Sequence, residues 1–174
     1  MWDFFETVRH RHSVRRYQAD MPVEQDKLHA VIETACSAPS AGDLQAYQII
    51  VIRDAARREA LREVVQRDHD FVAQAPVSML FCADPKRSAE RFGERGAQLF
   101  AVQDATIAAG FAQLAAVAAG LASAWIGQFD PAAARCCMDL PQSLEPVALL
   151  CFGYAAELPA LTPRRKLDEV VRYI

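Results

Sequence analysis

Residues 105–129, ATIAAGFAQLAAVAAGLASAWIGQF, run for twenty-five positions without a charged side chain. That length is enough to cross a bilayer as a helix. Ten of its first twenty residues are alanine, however, and Gln113 sits in the middle. Alanine supplies little hydrophobicity. Small residues recur at Ala108, Ala112, Ala116 and Gly120, a spacing that lets helices approach closely in water or in lipid. A helix that is apolar all round is one surrounded by protein. The segment therefore reads as a buried central helix rather than a membrane span, with part of its cover supplied by a second subunit.

The other elements must wrap this helix. The chain has 174 residues, enough for one domain with a full core. A first helix is expected over about 2–10. Residues 24–37 form a second, because Leu28, Val31, Ile32 and Ala35 fall on one face; Pro22 precedes it and Pro39 ends it. APSAGD at 38–43 has loop composition. YQIIVIR at 47–53 is a buried strand. Asp54 caps the helix AARREALREVVQ, 55–66, which has an apolar stripe of Leu61, Val64 and Val65. APVSMLFCAD at 75–84 reads as a second core strand, and the polar 85–96 as a mobile helix or lid. The central helix starts near Ala97 and ends at Gly120, its C′ glycine. SAWIG is a short strand or loop. DPAAARCCMDL begins as a capped helix with Pro131 at its first position, and PVALLCFGY at 146–154 is a third strand. Helices interleaved with strands give an α/β-type domain whose sheet is covered; strand order and direction do not follow from the pattern.

Net charge is −3, yet RHRHSVRRYQ at 9–18 gathers four arginines. A second basic knot, RRK, lies at 164–166. An acidic chain with no aromatic residue interleaved before Tyr17 is a poor nucleic-acid binder. Read as an extended segment, 11–17 alternates faces. Arg11, Ser13, Arg15 and Tyr17 share one side, and His12, Val14 and Arg16 the other. Two guanidiniums flanking a hydroxyl suit a phosphate dianion; a solvated basic turn has the same composition. Phosphate loops of the G-x-x-x-x-G-K-[ST] and G-x-G-x-x-G types are missing, as is a G-x-S-x-G elbow. The four histidines lack metal spacing, and no metal is expected. Cys36, Cys82, Cys136, Cys137 and Cys151 form neither a C-x-x-C motif nor a disulfide framework. Cys82 and Cys151 read as buried small residues, and the odd count suits a reducing compartment. The adjacent Cys136 and Cys137 are either a redox pair or ordinary thiols. The N-terminus MWDFFETVRH lacks the apolar run of a signal peptide, so a cytoplasmic protein is expected.

RHSVRRY at 11–17, APSAGDLQAY at 38–47, and QDATIAAGFAQLAAVAAGLASAWIGQFD at 103–130 together resemble the nitroreductase family of FMN-dependent flavoproteins. PRRKLDEVV at 163–171 is similar to that family's closing motif. The resemblance runs end to end over 1–174 and in order. It implies a nitroreductase-like α+β fold, a central mixed β-sheet covered by helices, in an intertwined homodimer with FMN at the subunit interface. By this resemblance Arg11, Ser13 and Arg15, with His12 between them, hold the FMN phosphate and ribityl chain, and Arg164 adds a further cation. Pro39, Ser40, Gly42, Asp43 and Gln45 belong to a loop reaching the flavin of the partner subunit. Trp125, Gly127 and Gln128 lie beside the ring, although Trp125 as plain core packing remains open.

The chain departs from the family pattern at Asp43 (usually Asn), Ala46 (Pro), Tyr47 (Trp) and Lys166 (Pro). A carboxylate at Asp43 opposes the charge of a reduced flavin. The chemistry implied is hydride transfer from NADH or NADPH to flavin N5, then reduction of a small electron-poor acceptor such as a nitroaromatic, a quinone or an activated alkene, in a ping-pong cycle. No catalytic side chain is required, because the cofactor carries the reaction. Dehalogenation, flavin fragmentation, a non-catalytic FMN-binding role and a cofactor-free dimeric module are the alternatives.

Overall fold

The computed structural model describes residues 3–65, 69–160 and 162–174. Trp2 and Gln66, at the expected ends of two helices, lie outside them. The chain runs α1 (Phe4–His10), α2 (Gln25–Cys36), a 3-10 turn (Ala41–Asp43), β1 (Tyr47–Ile52), α3 (Ala55–Val64), α4 (Phe71–Gln74), β2 (Val77–Ala83), α5 (Pro85–Arg95), a π turn (Gly96–Phe100), α6 (Ala101–Ala118), β3 (Ala122–Ile126), α7 (Pro131–Cys137), β4 (Glu145–Gly153) and α8 (Leu167–Val170).

Local chemistry starts and stops these elements where it was expected to. Asp54 accepts from the Arg57 N–H at 2.9 Å, and Asp130 from Ala132 and Ala133 at 2.9 and 3.0 Å. Each cap satisfies helix donors that have no partner within the helix. At the end of α6, Gly120 is left-handed at φ 77°, and the Leu121 N–H reaches back to Ala116 O at 2.8 Å. That closure favours glycine. The central helix begins at Ala101 rather than near Ala97, because the π turn continues the helical path from α5 into it.

The four strands are ordered β1-β2-β4-β3, every neighbouring pair antiparallel. The one parallel pairing among the described residues is an isolated bridge, Ser13 to Ser123, so the mixed character rests on that bridge. Alternation on β2 builds two cores. Val77, Met79 and Phe81 face α2 and α6, together with Ala148, Leu150 and Phe152 of β4. Leu80 and Cys82 face α3, α4 and α7, together with Leu149 and Cys151. With both faces covered, β2 is buried along its whole length, which is why its sequence is a continuous apolar run.

α6 packs between α2 and the sheet. Alanines 101, 105, 108, 109, 112 and 116 are fully buried there, and Gln113 is buried with them, donating to Ser123 Oγ at 3.2 Å. The helical path Pro85–Ala118 is long and apolar enough to cross a membrane by length and composition alone, and half of its apolar window is buried inside the protein. All five cysteines are free. Burial pushes the thiols of Cys82 and Cys151 up to about 12. It also raises Cys137, the opposite of what a redox-reactive thiol needs.

Candidate functional site

The basic stretch is pinned to the edge of the sheet. Ser13 bridges Ser123 on β3, and the Val14 N–H donates to Ser123 O at 3.0 Å. Further on, Tyr17 bridges Ala155, and its hydroxyl donates to Cys151 O at 3.2 Å inside the core. Burial pushes the Tyr17 phenol well above its ordinary value. Gly153 is required beneath it, because a Cβ there would come within 2.7 Å of Pro76 and 3.0 Å of the Tyr17 ring. The face alternation expected for 11–17 is therefore corrected at its end. Tyr17 leaves the Arg11–Ser13–Arg15 side and turns into the core with Val14, because the bridge at residue 17 is to a different segment from the bridge at residue 13.

A cavity of about 950 Å³ opens beside this stretch, and Arg9, Arg11, His12, Ser13, Arg15 and Arg164 line it. The two basic knots, more than 140 residues apart in sequence, thus meet. Arg9 stands apart from the other arginines of this wall. It pairs with Glu6 at 3.1 Å, yet it also lines the cavity; Arg16 does not. Among the described residues no carboxylate lies within 4 Å of the guanidiniums of Arg11, Arg15 or Arg164. Glu6 pairs with Arg9, and Glu157 accepts from the Arg15 N–H at 2.8 Å; guanidiniums that converge with no carboxylate on them suit an anion. The donor set fits a phosphate monoester: forked guanidiniums, a hydroxyl and a net positive field. His12 also lines a smaller neighbouring cavity of about 160 Å³.

Trp125 stands on β3, two residues beyond Ser123, and is half-buried against the α2 and α6 core. Core packing therefore accounts for part of its surface. Gly127 and Gln128 follow at the exposed end of the strand. Along this edge of the sheet the structure brings together Arg11, His12, Ser13, Arg15 and Arg164, with 125–128 beside them in chain order.

Pro39, Ser40, Asp43 and Gln45 lie elsewhere. Their loop leads into β1, the opposite edge, three strand spacings or about 14 Å across the sheet from β3. Within one chain the two groups do not form one site. The loop is held in an unusual conformation, with left-handed φ values at Gly42 (56°), Asp43 (57°) and Gln45 (44°). For residues other than glycine this costs about 1–2 kcal/mol each, and such strain collects at functional loops. Ser40 Oγ accepts from the Gln45 N–H at 2.9 Å, and the Gln45 amide donates to Asp43 Oδ1 at 2.5 Å. On the outer side Arg87 donates to Leu44 O at 2.6 Å and Arg91 to Gly42 O at 2.8 Å. α5 is therefore docked on the loop, where a mobile lid had been an option. On the inner side Asp104 of α6 accepts from the N–H groups of Ala41 at 2.8 Å and Ala46 at 3.3 Å.

Sequence reasoning missed Asp104, Arg87 and Arg91. Asp104 had a readable signal, since it is the only charged residue in α6. The arginines had none, because their partners are backbone carbonyls.

Comparison with known proteins bears on this arrangement. The model of the nitroreductase family matches residues 8–69 and 65–154. The chain is 31% identical to a Thermus thermophilus protein named NADH dehydrogenase, covering 92% of this chain and 91% of that one. The chain belongs to the nitroreductase family. It is also 30% identical to a Bacillus subtilis FMN reductase, over 98% of this chain and 73% of the relative. A solved nitroreductase family protein from Clostridium difficile superposes with a TM-score of 0.86 at 32% identity, covering 99% of this chain and 98% of that one.

This nitroreductase-family chain leaves a broad apolar surface uncovered. Ile107 and Phe111 are exposed on the outer face of α6, and Gly110 between them has open space above it. On α1, Phe4 and Phe5 are 65% and 68% exposed. Leu167, Val170, Tyr173 and Ile174 at the C-terminus are exposed as well. α1 and α6 are in contact, and contiguous exposed apolar side chains suit an interaction surface.

Proposed function

We propose that this protein is an FMN-dependent oxidoreductase that takes reducing equivalents from NADH or NADPH and passes them to a small electron-poor acceptor: a nitroaromatic, a quinone or an activated alkene. The convergence of Arg11, Arg15 and Arg164 with Ser13 on one cavity, with no carboxylate on the three guanidiniums among the described residues, is the observation that carries the reading. In it, Arg11 and Arg15 fork onto the phosphate oxygens, the Ser13 hydroxyl donates to a third position, and Arg164 completes the neutralisation of a charge of about −2. His12 lines the same cavity, and in this reading it adds a contact to the ribityl chain. Bound FMN supplies hydride acceptance and donation at N5, the two half-reactions using one site in turn.

In the same reading the residues of 1–174 make one FMN-binding domain that works as a homodimer. Pro39, Ser40, Asp43 and Gln45 stand on the opposite sheet edge from the arginines, which suits a site built from two chains. Trp125, Gly127 and Gln128 flank the ring from the arginine side. The exposed faces of α1 and α6 supply the apolar area such a dimer must bury. Free cysteines throughout the described residues suit the cytoplasm.

The test is direct. Purified protein is yellow and releases FMN on denaturation, and it oxidises NADH or NADPH steadily when a quinone is supplied. Bound FMN without turnover would make it a flavin store. Colourless protein whose melting temperature does not rise with added FMN would end the reading, since a ligand bound only by the folded state at 100 times its Kd stabilises by about 2.7 kcal/mol.

A further inference from the structure

Asp104 is 2% exposed, in the first turn of a helix that carries no other charged residue. Among the described residues no lysine, arginine or histidine lies within 4 Å of it. Its two oxygens are used separately. Oδ1 accepts from the Ala41 N–H at 2.8 Å and Oδ2 from the Ala46 N–H at 3.3 Å. These residues are the two ends of the loop that contains left-handed Gly42, Asp43 and Gln45. Inside the loop the bonds are short-range, Asp43 N–H to Ser40 O and Leu44 N–H to Ala41 O. Outside it, Arg87 and Arg91 hold two of its carbonyls. The Asp84 N–H also holds Ala46 O at 2.8 Å, but among the described residues Asp104 is the one side chain bonded to both ends of the loop.

A buried carboxylate costs stability unless its oxygens are satisfied, and the fully buried alanines about one turn to either side, Ala101 and Ala108, show what packing alone would select at such a position. We propose that Asp104 is a positioning residue: it fixes the spacing of Ala41 and Ala46 so that Ser40, Asp43 and Gln45 are presented, in their strained conformation, to the flavin bound by the other subunit. This rests on the FMN reading above. Asp104 itself touches no cofactor.

Asp104→Asn keeps the shape and replaces one acceptor with an NH2 group, which then faces a backbone N–H. The experiment compares the full-length dimer of wild type, Asp104→Asn and Asp130→Asn, the last weakening a cap on α7 far from the loop. Hydrogen exchange of the peptide covering 41–46 and the FMN dissociation constant are both measured. In Asp104→Asn, exchange over 41–46 rises about tenfold with β2 and β4 unchanged, and the FMN Kd rises about tenfold. Asp130→Asn leaves both at wild-type values. If Asp104→Asn does not fold, Asp104→Ser is read in the same way. Unchanged loop exchange overturns the proposal. So does a loosened loop with unchanged FMN Kd, which would make the clamp merely structural. Wild-type protein that takes up no FMN overturns the cofactor reading and this proposal together, and it is told apart from failure of the clamp because exchange over 41–46 still separates variant from wild type.

Discussion

Asp43 places a carboxylate at the tip of a loop whose backbone is already left-handed, and the Gln45 amide holds it there. If the loop serves the flavin of the partner, this charge opposes the negative charge of the reduced ring and makes the flavin harder to reduce. Asp43→Asn removes the charge and keeps the shape. The midpoint potential of bound flavin then rises, by tens of millivolts, where about 30 mV corresponds to 1.4 kcal/mol for a two-electron couple. An unchanged potential in a spectroelectrochemical titration refutes the idea. Asp43 was legible as a residue out of pattern. That Arg11, Ser13 and Arg15 share one cavity wall was legible, because spacing along an extended segment is a local property. Tyr17 was not, since whether it joins that face depends on a bridge to Ala155, far along the chain. Arg9 keeps its ion pair with Glu6, while the C-terminal segment also brings the cavity against it, a contact no local pattern encodes.

Elements with a capping residue and a periodic face were readable to within a few residues. Asp54, Asp130 and Gly120 fix ends by local hydrogen bonding, and α2 shows its buried stripe in sequence. α4 and α8 are four residues each, too short for any period to appear; α4 is held by Phe71 and Val72 in the core, whereas α8 buries no residue. The two inner strands, β2 and β4, each carry a buried cysteine, and this sets a pH dependence. In the folded protein the Cys82 and Cys151 thiols stay protonated up to about 12, whereas an unfolded cysteine ionises near 8.5. Above that value the unfolded chain holds fewer protons than the folded one, so stability falls as pH rises through the window from about 9 to 12. The melting temperature therefore drops between pH 8 and pH 10.5, and by less in Cys82→Ala/Cys151→Ala, whose starting stability is lower. Equal drops in both proteins would remove the thiols as the cause.

Strand order was not legible, because pairing between β2 and β4 joins segments some 70 residues apart and no local pattern encodes it. The order β1-β2-β4-β3 has a functional consequence: it puts the arginine cluster and the 39–45 loop on opposite edges. A site using both needs two chains, and the exposed Ile107 and Phe111 beside open Gly110 give α6 a face to pack against its copy. Phe111→Glu sets a charge in that contact. Light scattering should find this variant monomeric at micromolar concentration, with FMN affinity lost alongside the dimer. A dimeric Phe111→Glu would move the interface off α6, and a monomer retaining full affinity would confine the site to one chain. The account as a whole stands on Arg11 and Arg15 forming a phosphate seat that Arg16, one residue further on, does not share. Equilibrium titration of FMN into wild type, Arg11→Ala, Arg15→Ala and Arg16→Ala measures this. Each of the first two substitutions should weaken binding by about 1.5–3 kcal/mol, the worth of a hydrogen bond to a charged group, which is roughly 10- to 100-fold in Kd, while Arg16→Ala binds as wild type does. Equal losses in all three variants, or no binding by the wild type, would contradict it.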